Sequence, residues 1–319
     1  MSDLLLLLGN RKRPKVDFTF MGGALSPFLT FARASNAMRF NSSGLLETVG
    51  SDTPRFGYDP LTHAPRGLLI EPQRTNLISY SNFASAWGSA GAGTSLSLNK
   101  DTSPDGTLNG TRIIENTATG THGTYYGRYG ITFSAKLVFS AFVKAGTRTA
   151  VNLAFSDGGT GGPAYKFDLV AGTFDRDTTV SAGTWTGYGA SMQSCGNGWY
   201  RCCIFGVNNY SSNNIVYVYL RNAAGSGYGV GSYTGDGASY VSVFGAQLED
   251  GTACTSFIST TSAVATSASD QLSFTVPTSV TKLRYTFDDN TTQDVSVSAG
   301  AYSVPTNLNR PHVKRITSV

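Results

Sequence analysis

The chain has 319 residues, of which 40% are hydrophobic and 14% are charged, so it is long and apolar enough to form two or three packed domains. Its 37 glycines and 12% aromatic residues are typical of short strands joined by tight turns, and we expect an all-β protein. The formal net charge of +4 is concentrated at the two ends of the chain, whereas a nucleic-acid-binding protein spreads basic residues over a folded face. These properties exclude a wholly disordered chain and disfavour a nucleic-acid partner.

The N-terminal segment 1–16 joins an apolar run to a basic one. The basic residues follow the apolar run, and five leucines are too few for a signal-peptide core or a membrane span. We interpret the segment as a docking arm that inserts into a partner protein and not into a membrane; a fortuitously packed terminus is the alternative. The arm residues are Leu4, Leu5, Leu6, Leu7, Leu8, Arg11, Lys12 and Arg13.

A proline-flanked segment, PRGLLIEPQRTNL, occupies residues 65–77. Its two prolines bracket three aliphatic residues, which predicts one short buried strand, because proline cannot donate a hydrogen bond to a central ladder. Glu71 lies between Arg66 and Arg74, and we expect one of these arginines to hold the carboxylate at the strand end. We interpret the three residues as a structural clasp. A catalytic acid would need a second carboxylate opposite Glu71, and the spacing of the nearby acids places none there.

Strand patterns dominate residues 81–270. Turn residues separate many short segments that are rich in β-branched and aromatic side chains, the clearest being 137–146, 149–157, 164–174, 215–222 and 240–249. In IVYVYLRN, Tyr217 and Tyr219 are expected on one face and the aliphatic residues between and after them on the other. The pattern predicts two packed antiparallel sheets in a jelly-roll-like β-sandwich.

A new pattern of short strands begins after residue 270. Four strands are predicted before residue 305, with Asp289 and Asn290 in a turn between two of them. We expect a small C-terminal β module. The predicted divisions of the chain are the docking arm 1–16, an N-terminal β region 17–80, the sandwich 81–270 and the C-terminal module 271–319.

The four cysteines form no metal-binding motif. Cys195, Cys202 and Cys203 lie close together, Cys254 stands apart, and the histidines are scattered, so no zinc site is predicted. Cys195 and Cys202 can face each other across a hairpin. For a protein assembled in a cytoplasm, however, we expect reduced, buried thiols.

Three motifs in a fixed order carry a family resemblance. LTFARASNAMRFNSSGLLETV (29–49), PRFGYDPLTHAPRGLLIEPQRTNLISYSNF (54–83) and FGAQLEDGTACTSFISTT (244–261) resemble a bacteriophage family of tail-fibre and head-spike proteins, also seen in gene-transfer-agent-like particles. Residues 284–316 are similar to a C-terminal module found on such fibres. Ser259 stands where the family has a proline, which loosens the exit from the sandwich and says little about the ligand.

The resemblance implies a fold, a location and partners. The sandwich would be of the carbohydrate-binding type, and the protein would be assembled in the bacterial host cytoplasm and displayed on the virion surface. Its partners would be a capsid, baseplate or tail protein, bound through the arm, and a host surface polysaccharide. The family also implies a homo-oligomer, with a trimer as the first expectation.

Candidate saccharide-binding residues are aromatic side chains beside glycine-rich loops. The apolar face of a pyranose stacks on an exposed ring while neighbouring polar groups bond its hydroxyls. For each ring, burial in the core or in a subunit contact is the structural alternative. The candidates are Tyr125, Tyr126, Arg128, Tyr129, Trp185, Tyr188, Tyr228, Tyr233 and Asp236.

No cofactor is predicted. A structural calcium is a minor alternative, because the acidic residues that could bind it occur in no loop with dense, alternating carboxylates. These acids are Asp157, Asp236, Glu249 and Asp250.

The sequence therefore favours an adhesin that attaches a virion to its host. A head decoration or connector protein without glycan binding is the alternative. A polysaccharide depolymerase is disfavoured, because acids are scarce and no repeat of the β-helix type is present. We expect no enzymatic activity.

Overall fold

The computed structural model describes residues 16–128, 130, 135–159, 161–178, 181–210, 213–222 and 232–319. The docking-arm residues 4–13 and two candidate ligand residues, Tyr129 and Tyr228, lie outside this part of the chain. Within it the fold is all-β, with 27 strands and no helix, which confirms the predicted fold class. No described segment forms a helix with the length and apolarity to cross a bilayer.

The strands fall into three groups along the chain. The first seven are β1 (Asp17–Thr19), β2 (Thr30–Ala32), β3 (Ala37–Phe40), β4 (Leu46–Val49), β5 (Arg55–Tyr58), β6 (Pro65–Leu69) and β7 (Arg74–Asn76). The next fourteen are β8 (Gly88–Gly91), β9 (Thr94–Thr102), β10 (Leu108–Glu115), β11 (Thr119–Gly120), β12 (His122–Arg128), β13 (Lys136–Ala145), β14 (Ala150–Ser156), β15 (Ala164–Asp168), β16 (Thr173–Arg176), β17 (Thr186–Ser194), β18 (Trp199–Val207), β19 (Asn214–Leu220), β20 (Tyr233–Thr234) and β21 (Tyr240–Asp250). The last six are β22 (Ala265–Ser267), β23 (Gln271–Val276), β24 (Lys282–Phe287), β25 (Thr292–Ser296), β26 (Gly300–Ser303) and β27 (His312–Ser318).

Two six-stranded antiparallel sheets pack face to face and form the predicted jelly-roll-like sandwich. One has the order β17-β18-β13-β21-β10-β9, and the other β16-β15-β14-β19-β12-β8. The alternation of side chains along each strand decides which residues fill the space between the sheets. In β19, Val216, Val218 and Leu220 are buried in the core, and Tyr217 and Tyr219 point to the outer face, as the sequence predicts.

Strands from both ends of the described chain form a second unit. Its larger sheet has the order β25-β24-β27-β6-β5, with β1 also paired to β27, and its smaller sheet has the order β2-β23-β26. One apolar core joins Phe20 and Leu68 to Leu272, Tyr285 and Ile316. Three-residue strands such as β1 and β2 are too short to be stable alone and need these longer partners. The segments that the sequence pattern assigns to an N-terminal region and a C-terminal module therefore share sheets and a core.

Strand β27 lies where the sequence suggests only a basic chain end. Its charged side chains are matched within the unit: Arg315 donates to the carboxylate of Asp17 at 2.7 and 2.6 Å, and Lys314 donates to Asn290 at 3.0 Å. The positive charge at this end therefore belongs to a folded sheet and is partly neutralised.

The outer face of one sandwich sheet is covered by the β3–β4 hairpin. Leu46 of the hairpin packs with Phe142, Trp199 and Phe257 in one apolar cluster. Trp199 is fully buried there, and its Nε1 donates to the carbonyl oxygen of Thr102 at 2.9 Å. The packing of Leu46 therefore holds the hairpin against this face of the sandwich.

The cysteines pair differently from the expectation. Cys203 and Cys254 form a disulfide, whereas Cys195 and Cys202 are free and buried. The prediction of reduced thiols throughout, with Cys195 and Cys202 as the possible pair, is therefore wrong. Adjacent residues of a strand point to opposite faces, so Cys202 enters the sandwich core while Cys203 points outward to the loop after β21. Burial raises the pKa of Cys195 to about 12, so this thiol is protonated near neutral pH.

Asp288, which follows β24, ties two strands of the second unit to the loop before β27. Its carboxylate accepts hydrogen bonds from Nε of Arg66 at 2.8 Å and from Nε of Arg310 at 2.7 Å. Burial opposes its ionisation, but the two arginine hydrogen bonds outweigh burial and lower the pKa of Asp288 to about 2.

We expect Asp288→Asn to lower the free energy of unfolding at pH 7 by about 1–2 kcal/mol, after allowance for solvent screening. A carboxyl with a depressed pKa stabilises the folded state above its unfolded-state pKa of about 4, and this stabilisation is lost as the pH falls to about 2. Denaturant titrations at pH 7, 4 and 2 measure the effect, and the variant should lose less stability over that range. The same pH dependence in both proteins would contradict this assignment.

Candidate functional site

Four tyrosines meet on the outer face of the sheet that contains β19. Tyr125 of β12 lies opposite Tyr217 of β19 in the strand register, with the ring centroids 5.9 Å apart. Tyr219 stacks on Tyr217 at 5.1 Å, with an angle of 8° between the ring planes. Tyr233 of β20 packs in the same cluster as Tyr217 and Tyr219. We call these four residues the tyrosine row.

Two glycines of neighbouring strands let the rings lie against the backbone. A Cβ atom at Gly88 would stand 2.5 Å from Cε1 of Tyr125, and one at Gly123 would stand 2.4 Å from Cδ1 of Tyr219. Such distances are far below van der Waals contact, so only glycine leaves room for the rings. Tyr125 keeps 36% of its surface exposed, whereas Tyr219 is 6% exposed. Tyr125 therefore presents the most accessible ring of the row.

A buried polar cluster flanks the Tyr219 end of the row. Asn152 of β14 lies opposite Tyr219 in the register, and its Nδ2 donates to Asp177 at 2.9 Å. Nη1 of Arg221 donates to Asn152 at 2.8 Å and to Asp177 at 3.2 Å. These hydrogen bonds and the ion pair fix the sheet beside the row and leave the cluster close to neutral.

Glu115 holds Tyr233 in place at the edge of the row. Its carboxylate accepts hydrogen bonds from the Tyr233 hydroxyl at 2.8 Å, from Nε of Arg148 at 2.9 Å and from the backbone N–H of Asp236 at 3.0 Å. Burial would raise the pKa of Glu115, but the hydrogen bonds from Arg148 and Asp236 outweigh it and lower the pKa. The guanidinium of Arg148 also lies 5.1 Å from the centre of the Tyr233 ring. Tyr233 is thus an anchored, half-buried member of the row.

Asp236, a candidate ligand residue, bonds within its own turn. It accepts hydrogen bonds from the backbone N–H groups of Ala238 and Ser239 and from the Ser239 hydroxyl, at 2.8, 2.6 and 2.6 Å. These bonds, led by the Ser239 hydroxyl, lower the pKa of Asp236. The carboxylate therefore shapes the loop beside Tyr233.

Tyr126 and Trp185 are core residues, which is the structural alternative to ligand binding. Tyr126 is buried in the sandwich core, and its hydroxyl bonds Ser79. Trp185 is also buried and stacks on Phe155, with the ring centroids 4.6 Å apart. Neither ring faces the tyrosine row.

The other two described candidates lie away from the row. Tyr188 is exposed but belongs to β17 of the opposite sheet, where the guanidinium of Arg176 lies 5.3 Å from its ring centre. Arg128 ends β12 opposite Asn214, and it shares the core-facing alternation of Tyr126. Of the candidates that the structure describes, it brings together only Tyr125, Tyr233 and, through its loop, Asp236.

Tyr217 and Tyr219 are the site residues that the sequence analysis misses. Their alternation predicts the correct face of β19, but both rings lie within the strand and not in the glycine-rich segment that begins at residue 225. The glycines that expose this part of the sheet lie on β12 and β8, and they become neighbours only through strand pairing. Tyrosines at alternate positions of one strand, with glycines at alternate positions of another, are the signal that could find such a row.

Glu71 is buried and held by Arg55, not by Arg66 or Arg74. Its Oε2 accepts a hydrogen bond from Nη1 of Arg55 at 2.9 Å, and its Oε1 accepts one from the backbone N–H of Ser256 at 2.9 Å. Burial would raise the pKa of Glu71, but the charge of Arg55 and the hydrogen bonds from Ser256 outweigh it and lower the pKa. The carboxylate is therefore ionised and fully engaged.

The predicted clasp is part of a larger buried ion network. Arg55 also pairs with Asp270, and the other oxygen of Asp270 accepts a hydrogen bond from Nη1 of Arg33 at 3.1 Å. Oδ2 of Asp270 accepts a further bond from the backbone N–H of Glu71 at 2.9 Å. Two arginines and two carboxylates thus join β5, the segment after β6 and the segment before β23.

The two arginines of the predicted clasp have other partners. Arg66 pairs with Asp288. Nη1 of Arg74 donates to the backbone carbonyl of Gln73 at 2.9 Å, and its buried Nε has no hydrogen-bond partner in the described part of the chain. The clasp is therefore assembled with Arg55 in the place expected for Arg66 or Arg74.

Three of the four acids considered as calcium ligands, Asp157, Asp236 and Glu249, bond to nearby protein donors. Oδ1 of Asp157 accepts hydrogen bonds from the backbone N–H groups of Gly159 and Gly161 at 2.8 and 3.2 Å, and Glu249 accepts one from the backbone N–H of Thr255 at 3.0 Å. Burial raises the pKa of Glu249. Across the described residues, no three His, Cys, Asp or Glu side chains are grouped as a metal site requires.

Comparison with known proteins gives only distant structural similarities. No protein-family profile and no curated protein match the sequence. A carbohydrate-binding module, TmCBM61, in complex with beta-1,4-galactotriose has 10% identity and a TM-score of 0.33, with 55% of this chain and 99% of that chain covered. The enzymatically active domain of tailspike protein 4 from bacteriophage CBA120 has 10% identity and a TM-score of 0.32, with 54% and 21% covered.

A third solved structure is similar to this chain at a comparable distance. The CBM22-1 xylan-binding domain from Paenibacillus barcinonensis has 12% identity and a TM-score of 0.31, with 56% of this chain and 96% of that chain covered. At these identities and scores the similarities assign neither a family nor a ligand to this chain.

Proposed function

We propose that the chain is a saccharide-binding adhesin of a bacteriophage tail fibre or head spike. The binding part of the proposal rests on the tyrosine row, in which the exposed ring of Tyr125 lies over Gly88. Such a ring stacks on the apolar face of a pyranose, and the phenol hydroxyls of the row bond sugar hydroxyls. The virion part is supported by the resemblance of residues 29–49, 54–83 and 244–261 to phage fibre and spike proteins.

In this proposal the segment 1–16 docks on a capsid, baseplate or tail protein, and the chain acts as a homo-oligomer, with a trimer as the first candidate. Single sugar sites bind weakly, and several copies in one particle supply avidity. Assembly in the host cytoplasm implies that Cys203 and Cys254 pair only after the particle leaves that reducing compartment.

A decoration or connector protein without glycan binding is the second candidate. The small exposed fraction of Tyr219, 6%, favours it, because a ring with so little free surface offers a sugar almost nothing to stack on. We propose no catalytic role for Glu71, because both of its oxygens accept hydrogen bonds from Arg55 and Ser256.

The proposal is tested by binding fluorescently labelled protein to candidate host cells with and without their surface polysaccharide. We expect the full chain and residues 17–319 to bind equally well and only to cells that carry the polysaccharide. Loss of binding on removal of residues 1–16 would indicate that the arm recognises the polysaccharide. Absence of binding by both forms would favour the decoration or connector protein.

Substitutions at the row should weaken binding without unfolding the sandwich. Tyr125→Ala removes the exposed ring and is expected to weaken saccharide binding by about tenfold or more, since one stacked ring contributes on the order of 1–2 kcal/mol. Gly88→Val should have a similar effect, because the added side chain pushes the Tyr125 ring off the sheet. Tyr188→Ala is the matched control, being an exposed tyrosine on the opposite sheet. Equal losses in all three variants would argue against the row as the binding face.

A further inference from the structure

A cavity of about 150 Å³ lies between the sandwich and the second unit, away from the tyrosine row. Its apolar walls include Met38, Phe40 and Phe257. Arg201 borders it from the sandwich and His312 from the second unit. The cavity therefore combines apolar side chains with polar groups from both units.

Arg201 brings a cation to this cavity without a matching carboxylate. Its Nη2 donates to the hydroxyl of Ser140 at 3.1 Å, its guanidinium lies 5.4 Å from the ring centre of Phe142, and its buried Nε has no partner. In the described part of the chain, no carboxylate oxygen lies within 4.0 Å of its nitrogens. The other arginines of the lining, Arg39 and Arg66, are each paired with an acid.

A buried guanidinium without an anion is energetically unfavourable. Burial lowers the pKa of Arg201, and the charges of Glu249 and Glu71 offset this only in part. Glu71 also borders the cavity, but its oxygens are taken by Arg55 and Ser256. Charges shielded from water are normally paired in proteins, so Arg201 is a cation that an anionic oxygen in the cavity it borders would match.

His312 adds a second polar atom without a partner. Its buried Nδ1 has no hydrogen-bond partner in the described part of the chain. Burial, followed by the charge of Arg66, lowers the pKa of His312 to about 3, so the ring is neutral at physiological pH. A neutral imidazole can either donate or accept a hydrogen bond, which suits the hydroxyl of a ligand as well as a carboxylate.

The geometry points to a second binding site, in which Arg201 holds the carboxylate of a ring-sized organic acid and His312 bonds another polar group of the same molecule. A guanidinium edge matches a carboxylate in shape and charge. A cavity of about 150 Å³ accommodates a six-membered ring in other proteins, and the apolar wall suits the C–H face of such a ring. A uronic acid meets these requirements, whether as a free sugar acid or as a residue of an acidic polysaccharide.

Saturation-transfer NMR titrations of the full chain with galacturonate test the site. Galactose is the neutral control, inorganic phosphate is the anion control, and trigalacturonate represents the polymer. We expect galacturonate to bind at least about tenfold more tightly than either control, and Arg201→Gln to abolish this preference. Arg284→Gln, which removes an exposed arginine of the second unit, should leave the preference unchanged.

Each remaining outcome decides the question. The proposal would be overturned if galactose or phosphate bound as tightly as galacturonate. It would also be overturned if Arg201→Gln kept the preference for galacturonate. If Arg201→Gln does not fold, Gln193→Trp places a bulky ring at the cavity wall, and retained galacturonate binding in that variant would overturn it. Tighter binding of trigalacturonate than of galacturonate would assign the site to a polysaccharide, and equal binding would assign it to a free sugar acid.

Discussion

Arg55→Leu is expected to lower the free energy of unfolding by about 3–5 kcal/mol, the largest effect of any single side-chain change considered for this protein. Arg55 is 1% exposed and pairs with both Glu71 and Asp270. Removing it leaves two carboxylates buried with fewer partners, and an uncompensated buried charge is costly. The effect is measured by chemical denaturation followed by intrinsic fluorescence.

Matched variants separate the network from a general loss of charge. Arg284→Leu removes an exposed arginine that pairs with Asp294, and it should change stability by less than about 1 kcal/mol. The double variant Arg55→Leu/Glu71→Leu should be more stable than the sum of the single effects predicts, with a coupling energy of about 1–3 kcal/mol. Additive effects, or a loss below about 1 kcal/mol in Arg55→Leu, would contradict a stabilising buried network around Arg55.

Reduction of the Cys203–Cys254 disulfide is expected to have the second large effect on the free energy of unfolding. The two cysteines are 51 residues apart. In the chain-entropy description, a cross-link over this separation lowers the entropy of the unfolded chain and so raises the free energy of unfolding by about 4 kcal/mol; values of about 2–4 kcal/mol are typical. The bond also holds the loop after β21, in which Thr255 donates to Glu249 and Ser256 donates to Glu71. Reduction should therefore destabilise the junction between the units as well as the sandwich.

The test compares unfolding of the wild type and Cys203→Ala/Cys254→Ala, each with and without reductant. Reductant should lower the stability of the wild type by about 2–4 kcal/mol and leave the variant unchanged. Because the remaining thiols of Cys195 and Cys202 are buried, they should not react with alkylating reagents in the folded protein. Peptide mapping that finds a Cys195–Cys202 bond instead would contradict the pairing.

Apolar patterns along single strands made much of the sandwich predictable. The patterns at 137–146 and 240–249 agree with β13 and β21 to within one residue at each end. The faces of β19 follow from alternation, because each strand residue points to the side opposite its neighbour. Local sequence is sufficient here, because β13 and β21 are buried on both faces and show continuous apolar runs, whereas β19 shows a period of two.

The ion-pair partners of the charged residues could not be predicted from local sequence in the same way. Glu71 lies near Arg66 and Arg74 in sequence, yet the β5–β6 register places Arg55 opposite Leu69 and so beside Glu71. Asp270 reaches the same network because the chain returns to the second unit before β23. These contacts depend on strand order and register, which a single sequence does not specify.

Strand β27 and the tyrosine row could not be predicted for the same reason, because both depend on strand pairing. Strand β27 begins after a proline and carries two basic residues, so its local pattern is weak. It is stabilised by pairing with β1, β6 and β24. The tyrosine row likewise needs the pairing of β8, β12 and β19 to bring its rings and glycines together.

The central claim, that the tyrosine row binds saccharide, is tested most directly by NMR titration of the purified chain with the surface polysaccharide of its host. We predict that the largest chemical-shift changes occur at Gly88, Gly123 and Tyr125, and that Tyr125→Ala removes them. Saturable binding with shifts confined to strand β17 around Tyr188, or to the cavity beside Arg201, would contradict the claim and place saccharide recognition elsewhere on the molecule.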